Sequence, residues 1–260
     1  MELAMYQVDA FTGRLFGGNP AAVVLLDDEL PEKTMQAIAA ENNLSETAFV
    51  LPEEGAYRLR WFTPKVEVGL CGHATLGAAF VLFEIGAVEG EAVRFETKSG
   101  TLTVSKKGDL LSMDFPALPP ERVAKTQELV NVLGATPVEV HAARDLMAVF
   151  ETQDQIVALK PDFVKLALMD PFAVIVTAPG DDVDFVSRFF APKVGIDEDP
   201  VTGSAHCTLI PYWAKRLGKE KLHALQVSKR GGELFGEMLG ERVAIKGRAV
   251  EYLRGRIKVG

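Results

Sequence analysis

The stretch FTPKV at residues 62–66 recurs in the second half of the chain as FAPKV at residues 190–194, an offset of 128 (190 − 62). A second pair follows in the same order, because CGHA at residues 71–74 is matched by TGSA at residues 202–205, an offset of 131 (202 − 71). A single insertion between the two blocks accounts for the change in offset. Ordered matches separated by about half of the 260 residues predict a duplicated unit.

A third match extends the repeat. TKSG at residues 97–100 corresponds to SKRG at residues 228–231, again at an offset of 131 (228 − 97). Two repeats of this length predict two similar domains and exclude a solenoid, which would need several shorter repeats. We therefore expect an N-terminal half at residues 1–116 and a C-terminal half at residues 117–260, joined at the midpoint prolines, which are Pro116, Pro119 and Pro120.

Each half is predicted to consist of short strands around one strongly apolar helix, which is an α+β arrangement. Gly72–Ile85 is apolar on every face, as is typical of a buried helix, and a second apolar helix is expected from Gly203 to about Leu217. Pro211 lies inside the second helix, where its missing amide hydrogen predicts a kink. The other predicted elements are helices at Pro31–Asn43 and Pro161–Met169, and strands at Met5–Phe11, Ala21–Leu26, Thr47–Leu51, Tyr57–Phe62, Ala92–Thr97, Thr101–Ser105, Leu110–Asp114, Ala173–Thr177, and within Val138–Glu151 and Leu225–Val259.

The composition is that of an ordinary globular protein, with 48% hydrophobic and 25% charged residues. A formal net charge of −8 argues against a nucleic-acid-binding protein, which would carry a basic surplus. The longest apolar stretch, at residues 76–83, is far shorter than the roughly 20 residues of a membrane span. The two cysteines, Cys71 and Cys207, form no CxxC pair, and the first ten residues do not resemble a secretory leader. We therefore expect a cytoplasmic protein.

The repeat places two helix starts, Gly72-His73 and Gly203-Ser204, in equivalent positions. If the halves are related by a pseudo-two-fold axis, these starts would face each other across a cleft. A helix N-terminus offers unpaired amide groups and a partial positive charge, and glycine lets a ligand approach the backbone closely. This pattern predicts a pocket for a carboxylate. The alternative is that Gly72 and Gly203 only relieve packing where a strand turns into a buried helix.

Four blocks of sequence carry a family resemblance: GNPAAV at residues 18–23, LSETAF at residues 44–49, LCGHAT at residues 70–75 and EDPVTGSA at residues 198–205. Together, in this order and across nearly the whole chain, they resemble the PhzF family, which takes its name from an isomerase of phenazine biosynthesis. The resemblance implies the diaminopimelate-epimerase-like fold, in which two pseudo-symmetric halves each curl a β-sheet around a central helix and the site lies between them. It also implies a homodimer and no cofactor.

The general acid/base that the resemblance implies is a glutamate in the S-E-T block, which falls on Glu46. The strand pattern places Ala48 and Val50 on the same face as Glu46. A carboxylate on such an apolar face would be partly desolvated, and we expect desolvation to raise its pKa and suit it to proton transfer. From the residues alone, a salt-bridged glutamate at a strand end remains an alternative.

The resemblance also suggests roles for three further side chains. His73 is expected to donate or relay protons, and Asp199 is expected to hold a substrate amine or hydroxyl or to orient a proton donor. Ser204 is expected to bind the substrate carboxylate with the Gly203 backbone. The alternatives are a helix N-cap for His73 or Ser204, and a turn residue before Pro200 for Asp199.

Related epimerases and racemases with this fold use one cysteine on each side of the substrate. Here Cys71 occupies the first position, but the repeat places Thr202 at the second, and threonine is too weak an acid for that exchange. We therefore expect Cys71 to be a small packing residue and Cys207 to be inert in the buried second helix. His206 and His223 lack metal-ligand spacing, so no metal site is predicted, and phosphate-loop and dinucleotide-binding motifs are absent.

The sequence therefore favours a cofactor-independent isomerase that shifts a proton within a small carboxylate substrate, with no nucleic-acid or membrane partner. Two alternatives stay open. One is an epimerase in which Glu46 is paired with a different acid on the opposite face of the substrate. The other is a small-molecule-binding protein that kept the cleft and lost the chemistry.

Overall fold

The computed structural model describes all 260 residues and divides into two compact units. The first unit comprises Met1–Asp114 with Lys246–Gly260, and the second comprises Phe115–Ile245. The division expected from the sequence, 1–116 and 117–260, differs at the C-terminus, since the last residues lie in the first unit. The physical reason is strand pairing, because the final strand lies antiparallel along the whole first strand, from Glu2 opposite Lys258 to Ala10 opposite Ala249.

The first unit contains the predicted buried helix, one amphipathic helix and a set of short strands. Its elements are β1 (Glu2–Ala10), β2 (Asn19–Leu25), α1 (Glu32–Asn42), β3 (Glu46–Glu53), β4 (Ala56–Phe62), β5 (Glu67–Val68), α2 (Gly72–Glu84), β6 (Ala92–Thr97), β7 (Gly100–Lys107), β8 (Leu110–Pro116, which ends across the unit boundary) and, from the C-terminus of the chain, β18 (Ala249–Lys258). The predicted strands and helices of this half are confirmed to within a few residues at their ends.

The second unit repeats this scheme with additional short helices. Its elements are β9 (Glu121–Val123), α3 (Gln127–Leu133), β10 (Glu139–Ala142), β11 (Leu146–Val149), α4 (Gln153–Ala158), α5 (Phe163–Leu166), β12 (Val174–Pro179), β13 (Phe185–Ala191), a 3₁₀ turn (Pro192–Val194), β14 (Ile196–Asp199), α6 (Gly203–Leu217), β15 (Lys221–Gln226), β16 (Gly232–Leu239) and β17 (Arg242–Gly247, which ends across the unit boundary).

The strand pairing within each unit follows the same order. In the first unit, β1–β2 is antiparallel, β2–β3 parallel, β3–β4 antiparallel, β4–β6 parallel and β6–β7 antiparallel. In the second, the same alternation runs through β10–β11, β11–β12, β12–β13, β13–β15 and β15–β16. The central helices begin at Gly72 and Gly203, an offset of 131 (203 − 72), so the shared topology agrees with the duplication predicted from the sequence.

The first unit is held together by the burial of α2 against β1, β2 and β3. Nine residues of this helix are buried, and this accounts for its lack of a polar face. A separate hydrophobic cluster in this unit packs Met35 and Ala39 of α1 against Phe49 and Phe62 of the sheet. The rings of the two phenylalanines meet edge to face.

The GNPAAV block begins at the last residue of the segment that joins β1 to β2 and continues into β2. Gly18 has a φ of 63°, and a Cβ placed there would lie 2.1 Å from the carbonyl oxygen of Ala10. Only glycine accommodates both the left-handed backbone and this close approach. Asn19 and Ala21, which follow in β2, are fully buried.

The second unit is built around α6, which continues through Pro211 to Leu217. Its Trp213 is 1% exposed and donates from Nε1 to Thr177 Oγ1 at 2.9 Å, while Thr177 Oγ1 donates to the carbonyl oxygen of Val186 at 2.7 Å. This chain of hydrogen bonds joins the helix to β12 and β13. None of the helices is long and apolar enough to cross a membrane.

Three features of this unit differ from the sequence prediction. The helix expected at Pro161–Met169 is reduced to Phe163–Leu166, and α3 and α4 were not predicted. Both unpredicted helices begin at a threonine, Thr126 or Thr152, whose side chain accepts a hydrogen bond from a backbone amide of the first turn. With seven and six residues, these helices are too short to show hydrophobic periodicity.

Candidate functional site

Glu46 is the first residue of β3, and the residues before and after it fix its position. Before it, Asn43 closes α1 in the left-handed conformation, with a φ of 50°. At Glu46 itself, the strand pairs in parallel with β2, opposite Ala21. The following residues, Thr47 and Ala48, are fully buried, and Glu46 keeps 13% of its side chain exposed. The carboxylate is therefore fixed at the start of a rigid strand.

Cys71 and His73 lie at the start of α2. Cys71 is the N-cap residue, in an extended conformation and without a side-chain capping bond to the helix. Its carbonyl oxygen instead accepts from Thr75 Oγ1 at 2.6 Å. Both Cys71 and His73 are 7% exposed. The N-terminus of the helix therefore holds the thiol and the imidazole in a largely dry environment.

The three side chains converge. His73 Nε2 lies 3.1 Å from Glu46 Oε2, and His73 Nδ1 lies 3.5 Å from Cys71 Sγ. The Nε2–Oε2 contact is an ion pair that lacks the alignment of a hydrogen bond, and neither atom bonds to another group. The imidazole thus lies between a carboxylate on one side and a thiol on the other.

The pKa of Glu46 is lowered from its ordinary value of 4.5. Burial acts to raise this pKa, but the charge of His73 and the close polar contacts of the carboxylate with His73 and Cys71 outweigh it. The expectation of a raised pKa is therefore wrong. The strand pattern showed the apolar face of Glu46, but it did not show the imidazole beside the carboxylate.

The neighbouring groups shift in the opposite direction. Burial acts to lower the pKa of His73, yet it is held well above 6.5, because the Cys71 sulfur and the Glu46 carboxylate face its two ring nitrogens. Burial, and then the nearby Glu46 charge, raises the pKa of the Cys71 thiol above 9.0. At neutral pH these directions keep Glu46 ionised and the Cys71 thiol protonated, and the contact with Glu46 favours the imidazolium form of His73.

Cys71 is buried, which agrees with the packing role expected from the sequence, and it also has polar neighbours. Its thiol faces His73 and contributes to the low pKa of Glu46. Cys207 behaves as expected: it is 6% exposed, and burial raises its pKa to about 11, which makes it an unreactive thiol at neutral pH.

The second unit brings together another set of predicted residues around the end of β14 and the start of α6. The hydroxyl of Thr202, the N-cap residue of α6, donates to Asp199 Oδ2. Gln226, which is 1% exposed, accepts from Thr202 N at 2.8 Å and donates to the carbonyl oxygen of Asp199 at 2.8 Å. Asp199 is thus positioned by a buried amide that sequence reasoning missed, because a single glutamine in a strand gives no local signal.

Ser204 lies in the first turn of α6, and its Oγ accepts a hydrogen bond from Arg144 Nη2 at 3.1 Å. Arg144 also donates to Asp145 Oδ2 at 2.7 Å, and the Asp145 side chain is 1% exposed. The guanidinium is therefore anchored at the start of the helix while 45% of its side chain stays exposed. Arg144 was missed because it lies in a short turn between β10 and β11 with no motif around it.

The predicted N-cap alternative for His73 and Ser204 is not what the structure shows, since the N-cap residues are Cys71 and Thr202. Neither makes a side-chain capping bond, so the amides of the first turns at Gly72 and Gly203 are not used by caps. Such amides are suited to an anion. That one carboxylate binds at both helix starts stays a prediction.

Comparisons with known proteins identify the family. Residues 8–255 match the sequence model of the PhzC-PhzF family, described as phenazine biosynthesis-like protein. This chain belongs to that family. Within it, the chain is 54% identical over 260 residues to a protein of Pseudomonas aeruginosa named as an uncharacterized isomerase, with 100% of each chain covered.

Solved structures of the PhzF family and its relatives confirm the predicted diaminopimelate-epimerase-like fold. A PhzF family protein of Enterococcus faecalis superposes with a TM-score of 0.98 at 49% identity over 100% of both chains. A hydroxyproline epimerase of Agrobacterium vitis superposes with a TM-score of 0.63 at 13% identity, covering 98% of this chain and 92% of that one, which shows a shared fold only.

Proposed function

We propose that this PhzF family member is a cofactor-independent isomerase that shifts a proton between two carbons of a small carboxylate substrate. The observation that carries the proposal is the buried ion pair between Glu46 and His73, at 3.1 Å. A desolvated carboxylate with a fixed partner is the arrangement expected of a general base.

The ionisation of the pair determines the direction of the first step. Because the pKa of Glu46 is lowered, the group is a carboxylate at neutral pH and starts the reaction as a base. It removes a proton from one carbon of the substrate, and the electron pair of the broken C–H bond forms the new double bond. The protonated Glu46 then returns the same proton to another carbon as the original double bond shifts. No atoms are gained or lost.

His73 supports both steps through its charge. The imidazolium stabilises the Glu46 carboxylate before the proton is taken, and it supplies a positive charge beside the anionic character that develops on the substrate. Cys71 fixes the orientation of the ring through its contact with Nδ1. A single carboxylate with this support can act without a second base.

The second unit carries groups that suit an anionic ligand. Within it, Gly203 and Ser204 offer first-turn amides and a hydroxyl to a carboxylate, while Asp199 offers a side chain that can orient a polar group. Arg144 adds a positive charge beside Ser204. Together these groups favour an anionic ligand despite the net charge of −8.

Epimerisation is the second candidate, since the relative from Agrobacterium vitis with the same fold is named an epimerase. Thr202 argues against the two-cysteine form, because its hydroxyl is engaged with Asp199 and is a weak acid. The two reactions differ in readout. A double-bond shift changes the ultraviolet spectrum, whereas epimerisation in D₂O incorporates deuterium with inversion of a stereocentre.

The test is a thermal-shift screen of small carboxylates, each run beside its primary amide, on the wild type, Ser204→Ala and Glu46→Gln. We expect some carboxylates to stabilise the wild type while their amides do not, and we expect Ser204→Ala to weaken that stabilisation. Each stabilising compound is then incubated with enzyme in D₂O and followed by proton NMR. If no carboxylate stabilises the protein, the proposed anion site is wrong, and if the protein binds carboxylates without converting any, it is the binding protein and not the isomerase.

A further inference from the structure

The cluster of Glu46, Cys71 and His73 holds three different metal-binding groups: a carboxylate oxygen, a thiol sulfur and an imidazole nitrogen. One ligand atom from each lies within 4.8 Å of the others. The proton transfer assigned to Glu46 uses the carboxylate and the charge of the imidazole, but it gives the sulfur only an orienting contact. Three such donors in one small volume are also able to bind a metal ion.

We propose that Glu46, Cys71 and His73 form a binding site for Zn²⁺, and that the bound ion inhibits the enzyme by occupying its general base. Metal binding itself does not depend on the proposed function, whereas the inhibition rests on it. No metal site was predicted from the sequence, because the expectation rested only on the spacing of His206 and His223 to each other and to carboxylates. The fold brings Glu46, Cys71 and His73 together, although their spacing in the sequence does not match a metal-ligand motif.

The separations of the donor atoms fit zinc. Zn–S bonds of about 2.3 Å and Zn–N and Zn–O bonds of about 2.0–2.2 Å place tetrahedral ligand atoms roughly 3.3–3.6 Å apart. In the structure, Nε2 and Oε2 are 3.1 Å apart, and Sγ and Nδ1 are 3.5 Å apart. These two contacts use different ring nitrogens, so a single ion takes one nitrogen, and the side chains must rotate to bring it together with the sulfur and the carboxylate, which start within 4.8 Å of each other and of the ring.

At two of the donor atoms, the ion would replace the ion-pair contact between His73 and Glu46 and no hydrogen bond to another group. His73 Nε2 and Glu46 Oε2 are buried and make no hydrogen bond, although they face each other. Buried polar atoms are usually hydrogen-bonded, and a pair that is not points to a group that completes it. An ion between the imidazole and the carboxylate satisfies both atoms at once.

The type of donor selects the metal. Thiolate and imidazole ligands suit zinc, whereas Mg²⁺ and Ca²⁺ require a larger set of oxygen ligands. Three protein ligands leave one tetrahedral position for water, as in exchangeable zinc sites. Glu46 retains 13% side-chain exposure, so the cluster is not sealed from solvent. Binding displaces the thiol proton of Cys71 and the proton of the ligating ring nitrogen.

The experiment is a titration of the metal-free protein with Co²⁺, used as a spectroscopic probe, and with Zn²⁺ in a calorimeter. We expect the wild type to show a thiolate-to-cobalt charge-transfer absorption that one equivalent of Zn²⁺ removes and that excess Mg²⁺ does not. Cys71→Ala and Cys71→Ser should lose the absorption and bind Zn²⁺ on the order of 100-fold more weakly. Cys207→Ala is the matched control, because Cys207 is also buried but lies outside the cluster, and it should leave both signals unchanged.

The outcomes separate the metal site from the proposed activity. Absence of the charge-transfer band in the wild type, or its persistence in both Cys71 variants, overturns the metal site. Glu46→Gln provides a second, near-isosteric variant should the Cys71 variants fold poorly, and an unchanged Zn²⁺ affinity in this variant contradicts the site as well. A protein that binds Zn²⁺ but isomerises no carboxylate refutes the proposed activity and not the metal site.

Discussion

The buried pair of Glu46 and His73 makes a specific prediction about stability and pH. The side chains are 13% and 8% exposed, and their charged atoms are 3.1 Å apart. Removing one partner of a buried ion pair costs about 3–5 kcal/mol, because the other charge is left uncompensated. Since His73 can release its proton when Glu46 is replaced, we expect Glu46→Gln to lower the free energy of unfolding by about 3 kcal/mol near pH 6.

The pH window follows from the directions of the two shifts. The pKa of His73 is raised in the folded protein, so its stabilisation is fully present below the unfolded value of about 6.5 and is lost as the pH rises through the folded value. The pKa of Glu46 is lowered, so its contribution is present above about 4.5 and is lost as the pH falls through the folded value. The cost of Glu46→Gln should therefore be largest between about pH 4.5 and 6.5 and shrink toward alkaline pH.

The assay is urea unfolding followed by circular dichroism over a series of pH values. Glu233→Gln is the matched control, because His223 Nε2 and Glu233 Oε1 are 2.9 Å apart but their side chains are 37% and 34% exposed. An exposed pair of this kind is expected to contribute less than about 1 kcal/mol. If Glu46→Gln costs no more than Glu233→Gln at acidic pH, or if its cost does not decline as the pH rises, the buried ion pair is not present in solution.

Two further predictions concern the supports of the site. Gly18 and Gly108 share a φ of 63°, but only at Gly18 does an added Cβ meet the Ala10 carbonyl, so Gly108→Ala should cost about 1–2 kcal/mol and Gly18→Ala at least about 2 kcal/mol more. Equal shifts of the urea midpoint would contradict the close approach. Gln226→Met keeps the side-chain length but leaves the amide of Thr202 unpaired, so we expect a loss of about 2–3 kcal/mol and faster hydrogen exchange at that amide. Unchanged protection at Thr202 would show that Gln226 does not hold it.

The architecture could be predicted because it is encoded redundantly. The repeat gives the same helix start twice, at Gly72 and Gly203, and each helix is apolar over enough turns to be recognised as buried. Motifs pointed to Glu46 and Asp199 as site residues, and in the structure each lies beside the start of a central helix within its own unit.

The features of the fold and the site that could not be predicted depend on contacts between residues that are distant in the sequence, which no local pattern specifies. The return of β18 to β1 is a pairing of residues about 250 positions apart, so the sequence division placed β18 in the wrong half. Arg144 and Gln226 are isolated polar residues whose partners are distant in sequence. The direction of the pKa shift of Glu46 depends on whether burial or the nearby imidazole has the larger effect. The imidazole of His73 lies 3.1 Å from the carboxylate, and the composition of the strand does not reveal that distance.

The most direct measurement is the rate at which the enzyme shifts the double bond of a converted carboxylate, followed by the ultraviolet spectrum and compared between the wild type and Glu46→Gln. General acid/base catalysis by a positioned side chain contributes about 10²–10⁴-fold, so we expect Glu46→Gln to lose the double-bond shift by that factor while still binding the carboxylate. A Glu46→Gln enzyme that binds the same carboxylate and shifts its double bond at the wild-type rate would show that Glu46 is not the base.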